Sequence, residues 1–221
     1  HGMVMGYYED GTKSMETPYV DGKRQGVMIK YYEDGSKSGE YSFVNGEQDG
    51  AQTLYHKNGS KSLDYHRIKG KEHGTTIRYY ENGNKKQESP YLEGKCQGMV
   101  INYYEDGSKS SETPYVDGNA NGTEIKYRRN GSKEMETVYV KHSKQSEVWY
   151  REDGSKWKEM PYKGHVLHGT AVSYQKDGSI KEETPWVNGK INGMQIGYRE
   201  DGSKGMETLY ENGNEISRKE F

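Results

Sequence analysis

The side chains of this 221-residue chain that could do acid–base or metal chemistry are few and scattered. His165 and His168 stand three apart in a turn, and His56, His66 and His73 gather in one stretch. Neither set supplies the three or four ligands that a zinc site converges on one ion. Cys96 is the sole cysteine, which excludes an intrachain disulfide framework and a cysteine-based zinc site. Glu16, Glu40, Asp64 and Glu112 belong to a regular set of nine acids, one per repeat of the sequence. Paired catalytic carboxylates sit ~5–10 Å apart in a cleft, so acids spaced this way read as a solubilising charged row. No glycine-rich stretch has the strand–loop–helix context of a phosphate or dinucleotide cradle. The sequons at Asn58, Asn121 and Asn130 read as Asn-Gly turn chemistry. The expectation is a chain with no catalytic residue, metal or cofactor.

The elements that position these residues follow from one recurrence. Glycine returns at Gly11, Gly35, Gly59, Gly83, Gly107, Gly131, Gly154, Gly178 and Gly202, every 24 residues except for one step of 23 between Gly131 and Gly154. A fixed period of this length marks an array of supersecondary units, so residues 1–221 are read as one array of nine. With the glycine as position 0, position −4 is tyrosine in every unit and +5 is acidic in every unit. Position +8 is aromatic in all but one, where Arg67 stands, and −6 is apolar in all but one. Leu, Ile, Val and Phe number only 28, a range usually read as disordered, but 21 tyrosines in register can replace an aliphatic core.

Alternation of period two, interrupted by Asp-Gly or Asn-Gly, is the sequence signal of a β-hairpin. Each unit is therefore a hairpin, with strands at −8 to −3 and +2 to +9, and a second turn leads to the next. A three-residue Glu-Asp-Gly loop with a left-handed glycine pairs −3 with +1. In that register Val27, Ile29, Tyr31, Tyr41 and Phe43 share one face, and Lys30, Tyr32, Ser38 and Glu40 the other. Positions −4 and +8 are then core, and −3, −5 and +3 point outward. Prolines at +7 mark weaker pairing at the outer end of the second strand. The fold class expected is all-β, an elongated single-layer antiparallel meander of about nine stacked 24-residue hairpins. Its roughly 18 strands would span on the order of 85 Å.

The unit, written G-x4-YYEDGSKS-x-E-x2-Y-V-x-G-x3-G, resembles the bacterial variant of the MORN repeat along essentially the whole chain. The resemblance implies elongated single-layer sheets that act as protein-interaction or scaffold modules, with membrane-lipid contact proposed for some members. It also implies two other roles: an antitoxin-like component of toxin–antitoxin modules, and arrays on secreted or surface proteins. It brings no catalytic residue to this sequence.

Departures from the repeat are where function is to be sought. At the short step, His142 and Ser146 replace the usual glycines, and the next unit carries Trp149 at −5 and Trp157 at +3. The bulged register sets these two indoles directly opposite each other on the polar face. They serve either as a patch on a weakened joint or as a platform for a partner. Position −3 runs from Tyr8, Tyr32, Tyr80 and Tyr104 to Arg128, Arg151 and Arg199. That row is either solvated, each arginine paired with a nearby +5 acid, or a docking strip, aromatic and then cationic.

The net charge of −2 argues against a general nucleic-acid binder and a polybasic membrane patch. The expected partner is another protein, with identity and oligomeric state open. The reading is a non-enzymatic interaction or scaffold module; the alternatives are an antitoxin or immunity protein and a surface or adhesive array. Gly2 already lies in register inside a unit, consistent with residues upstream, and localisation (cytoplasmic, secreted or surface) stays open. Small-angle scattering is expected to give the profile of an elongated particle; a compact globular profile would overturn the single-layer reading.

Overall fold

A computed structural model describes residues 1–221. Between Gly2 and Glu220 every residue that is not in a turn or bulge lies in a strand, and the 25 strands follow one open antiparallel hairpin meander. By compactness the chain divides into one unit of residues 1–109 and 115–118 and another of 110–114 and 119–221. The same hairpin geometry recurs within each.

The hairpin around Gly35 shows why the sequence folds this way. Its strands are Gly26–Tyr31 and Lys37–Val44. At the tip, Gly35 N–H donates to the Tyr32 carbonyl at 2.9 Å and Tyr32 N–H donates to the Ser36 carbonyl at 2.8 Å. This is the three-residue loop the sequence predicts, and it needs φ of +81° at Gly35, a conformation open to glycine. The Asp34 carboxylate accepts from Ser36 N–H at 2.9 Å and from its hydroxyl, which accounts for the Asp-Gly-Ser signature. Asn58 and Asn130 do the same for Ser60 and Ser132, so those two sequons are turn chemistry.

Beyond the tip the register differs from the sequence expectation. Tyr31 pairs with Lys37, but Lys30 pairs with Gly39, leaving Ser38 as an extra residue at +3. A bulge of this kind turns the rest of its strand over. Positions +4, +6 and +8 therefore share a face with −5 and −7, whereas −4 and −6 share the other with +5. The expectation that −4 and +8 form one core face is corrected on this ground: Tyr31 and Phe43 lie on opposite faces. The tightest burial falls on the +4/+6/+8 side, at Thr17, Met28, Phe43, Gln52, Val100, Met135, Thr137 and Thr208. This core is largely β-branched and polar, as suits a pleated surface with no second layer over it.

The opposite face carries a ladder that joins each hairpin to the next. The −4 tyrosine donates its hydroxyl to the +5 acid of the preceding unit: Tyr31 to Glu16 at 2.7 Å, Tyr103 to Glu88 at 2.9 Å, Tyr127 to Glu112 at 2.6 Å, Tyr150 to Glu136 at 2.8 Å and Tyr198 to Glu183 at 2.8 Å. Where +2 is lysine the acid also takes its ammonium, as in Lys13–Glu16 at 3.1 Å and Lys37–Glu40 at 2.7 Å. The +5 acids are thus anchors between units rather than a free solubilising row. The Tyr31 hydroxyl and Lys13 hold Glu16 below the usual carboxylate range; Lys85 and Tyr103 do so for Glu88, and Lys133 and Tyr150 for Glu136. Each tyrosine–carboxylate bond stabilises on the order of 1 kcal/mol at such part-buried positions.

Second turns join the hairpins. Both central residues have positive φ in all but the Gly164-His165 turn, as at Asp117 (51°) and Gly118 (81°), the geometry favoured in two-residue hairpin turns. After the turn the incoming strand has two residues more than its partner between the pairs Tyr19↔Arg24 and Glu16↔Ile29. The extra pair includes Gly26, and a Cβ there would meet Pro18 at 3.3 Å. The missing N–H of the +7 proline therefore falls where the ladder is already interrupted. The short step of 23 is absorbed at this same place: between Tyr139↔Lys144 and Val138↔Ser146 only Gln145 is extra. His142 takes the glycine position there with φ of 68° and still donates its N–H to the Ala120 carbonyl at 2.8 Å.

Two outcomes follow. His142→Gly removes a left-handed β-carbon without losing a hydrogen bond and should raise stability by about 1 kcal/mol in denaturant unfolding; a fall would contradict the strain. Burial and the Glu112 bond push Tyr127 up to about 12, and burial and the Glu136 bond do the same for Tyr150, from an ordinary 10.0. A group whose folded pKa is raised contributes stability that is complete below pH 10 and is lost as pH rises from there through about 12. Tyrosinate absorbance should show a late-titrating class, and the melting temperature should fall across that window, less so in Tyr150→Phe. Titration of all tyrosines together near 10, with the fold intact, would contradict the ladder.

Candidate functional site

The −3 row proves to be a second connection between units. Tyr8 donates its hydroxyl to the Tyr31 carbonyl at 2.6 Å, Tyr32 to that of Tyr55 at 2.6 Å and Tyr80 to that of Tyr103 at 2.8 Å. His56 Nε2 lies 3.2 Å from the Tyr79 carbonyl. Arg128 and Arg151 use their guanidinium groups the same way, on the carbonyls of Tyr150 and Tyr174. They also reach the carbonyls of Lys133 and Lys156 in their own hairpins. Their bonds go to backbone oxygens and to the Ser132 and Ser155 hydroxyls, not to the +5 acids that the solvated reading pairs them with. In the last hairpin Arg199 donates to the Ser203 hydroxyl at 3.3 Å and the Lys204 carbonyl at 3.0 Å. Tyr32, Tyr80 and Tyr104 belong to the first compact unit and the arginine and tryptophan candidates to the second.

The two tryptophans sit on Ser143–Tyr150 and Lys156–Lys163, the hairpin that follows the short step. They do not pair directly. Trp149 is opposite Lys158, and Trp157 is the extra residue of the +3 bulge. The expected head-on indole pair is corrected for the same reason as the faces. What brings the rings into one cluster is Lys158, whose ammonium lies 5.0 Å from the Trp149 ring centroid and 4.8 Å from that of Trp157. A cation held over two indoles is favourable by about 1 kcal/mol at an exposed site. Trp157 remains 48% exposed, large for an indole.

Beneath this cluster the joint is tightly built. Glu147 is buried and accepts from the Trp149 Nε1–H at 3.3 Å, the Tyr162 hydroxyl at 3.1 Å and the Lys144 ammonium. Burial pushes Glu147 up, but these three donors outweigh it and hold the carboxyl below its ordinary value. Burial and the Glu147 charge in turn push Tyr162 up to about 12. Trp149 is thus tied into the joint, and Trp157 is not. Both readings of the pair therefore have a residue: the patch is Trp149 and the exposed ring is Trp157.

Next to the cluster, on the same face, lies a shallow hollow of about 180 Å³. Lys158, Met160, Ala171, Ser173, Glu182 and Trp186 are among its lining residues. It exists because Ala171 and Ser173 are small at positions where Met28, Val100 and Trp149 are large in other units. All three tryptophans of the chain thus serve this one region. Trp186 passed in the sequence as an ordinary +8 aromatic, and Lys158 as an ordinary lysine. The bulge that puts Lys158 opposite Trp149 has no residue signature, since +3 is Ser, Lys, Glu, Trp or Gly in different units. No group of three or more His, Cys, Asp or Glu side chains converges as metal ligands would.

No curated protein matches this sequence. Among solved structures, "TcdB2-TccC3" is similar at 11% identity and a TM-score of 0.25, over 96% of this chain and 15% of that one. "TcdB2-TccC3-Cdc42" is similar at 12% identity and a TM-score of 0.24, over 94% of this chain and 15% of that one. The chain thus spans about 15% of the length of these structures. The family model of the MORN repeat variant matches residues 24–45, 72–93 and 167–188. Each match runs from eleven residues before a tip glycine (Gly35, Gly83, Gly178) to ten after it, one whole hairpin in a constant frame, so these three hairpins are similar to the MORN repeat variant.

Proposed function

We propose that the chain is a non-enzymatic protein-interaction module, and that its partner docks on the tryptophan cluster at Trp149, Trp157 and Lys158. The observation that carries this reading is the exposed indole of Trp157, which makes no hydrogen bond and stands on a bulge beside a fixed cation. Exposed tryptophan next to a packed, buried support is the usual composition of an interaction hot spot. The −3 strip supports the reading less, because Tyr32, Tyr80, Arg128 and Arg151 already hold neighbouring hairpins together. Tyr104 and Arg199 occupy the same row and rank with it as secondary candidates.

The backbone groups of regular strands are paired, so a partner on this face meets side chains. Affinity then rests on a few anchors, and Trp157 is the one whose removal leaves the joint intact. Trp157→Ala alone, and together with Trp149→Ala, should weaken capture of the native partner about tenfold or more. The melting temperature of Trp157→Ala should stay close to that of the parent. Quantitative pull-down from the native source with mass spectrometry measures the first and calorimetry the second; capture unchanged by both variants would overturn the reading.

A further inference from the structure

The tryptophan cluster is one side of a charge pattern that says what kind of segment it suits. Across the strands Ser143–Tyr150, Lys156–Lys163, Gly169–Tyr174 and Ile180–Val187 the residues Trp149, Lys158, Ser173 and Glu182 are opposite one another in sequence, forming one straight row. Lys158 and Glu182 both flank Ser173, so their backbones stand two strand spacings apart, about 10 Å. The +2 lysines and +5 acids of the repeat are matched to each other. Lys158 and Glu182 are not. The Lys158 ammonium faces only indole rings, and the Glu182 carboxylate accepts only the Thr184 hydroxyl at 3.0 Å. Between them lies the hollow, with Ala171, Met160 and Trp186 as its apolar part.

We infer that this surface binds a dipolar peptide segment: a carboxylate side chain that meets Lys158, an apolar side chain that fills the hollow, and a cationic side chain that meets Glu182. The inference rests on the partner reading above and adds the chemistry of the partner. Opposite charges at the two ends of a small apolar site give orientation and partner choice more than affinity. A saccharide could also stack on Trp157, but it would leave both charges unmatched, so it appears below as an outcome that overturns the inference.

The three tryptophans all lie at this region, so emission excited at the red edge, where tyrosine does not absorb, reports on it and on nothing else in the chain. The probes are three blocked pentapeptides, Glu-Ser-Leu-Ser-Lys, Glu-Ser-Leu-Ser-Glu and Lys-Ser-Leu-Ser-Lys, in which alternate side chains share one side of an extended chain. At low salt the dipolar peptide should shift the emission with a dissociation constant in the millimolar range, and ahead of the other two by about two- to fivefold. Lys158→Glu should move the preference to the dicationic peptide, and Glu182→Lys to the dianionic one. The double exchange Lys158→Glu with Glu182→Lys should restore the dipolar preference, because the segment can bind in the reverse direction. Circular dichroism and melting curves identify any variant that fails to fold, and the two single exchanges serve as independent tests.

Three peptides that bind alike, none that shifts the emission, or a ranking unmoved by the exchanges would overturn the inference. So would a neutral oligosaccharide that shifts the emission when no peptide does. Failure here remains distinguishable from failure of the partner reading. If Trp157→Ala weakens native capture while the peptides rank alike, the partner docks there by another chemistry. If the peptides rank as expected while native capture ignores Trp157→Ala, the surface is selective but the native partner docks elsewhere.

Discussion

The fold depends on a bond that crosses from one hairpin to the next, the −4 tyrosine hydroxyl on the +5 carboxylate of the preceding hairpin. A single-layer sheet has no second layer against which to bury an apolar face, so stability has to run along the array, neighbour by neighbour. Tyrosine suits this position because its ring covers the sheet while its hydroxyl reaches a fixed acceptor. The hydroxyl bridges 15 residues of sequence, and the −3 side chain bridges 23 to the next backbone carbonyl. Those two reaches are what a 24-residue period means in physical terms. They persist over the short step as well, where Tyr150 reaches back 14 residues to Glu136 and Arg128 reaches forward 22 to Tyr150.

Much of this was legible in the sequence, and the parts that were not share a cause. The tip glycines, the three-residue loop, the hairpin frame and the second turn are written in residues with restricted backbone choices, chiefly Gly, Asp and Asn. The faces were misassigned because the +3 bulge has no such residue. Its position holds Ser38, Lys86, Glu134 or Trp157, none of which demands a special conformation. One unseen extra residue moved Phe43 to the side opposite Tyr31, and Trp157 out of register with Trp149. The acids at +5 have the sequence look of a solvated row, since an alternating strand pattern does not show that a tyrosine 15 residues on donates to them.

The same ladder shows where the array is free to differ. Positions −4, −3, +2 and +5 are engaged in joining units, and −7 and +6 in the buried strip. Positions −5 and +3, and +4 where it is not a buried residue such as Ser111 or Met135, carry less of the fold. Trp149, Trp157, Lys158 and Ser173 all fall in that set, which is why an unusual cluster can stand on an otherwise regular sheet. Glu147 is the exception that supports it: a charge at −7, satisfied by Lys144, Trp149 and Tyr162, replaces the apolar Met28 or Val100 of other hairpins.

The bulge after each second turn has a consequence beyond the proline it shelters. It holds two surplus residues in most joints and one at Gln145, yet the strands on either side keep their faces and their rungs. Length errors in the chain are therefore taken up locally, as slack in a coupling, and are not passed down the line. A residue lost inside a strand would invert every side chain beyond it within that hairpin, whereas one lost at the coupling changes nothing that the neighbours can sense. Each hairpin thus starts its register afresh, and the array behaves as a train of separately aligned carriages rather than as one ruled sheet.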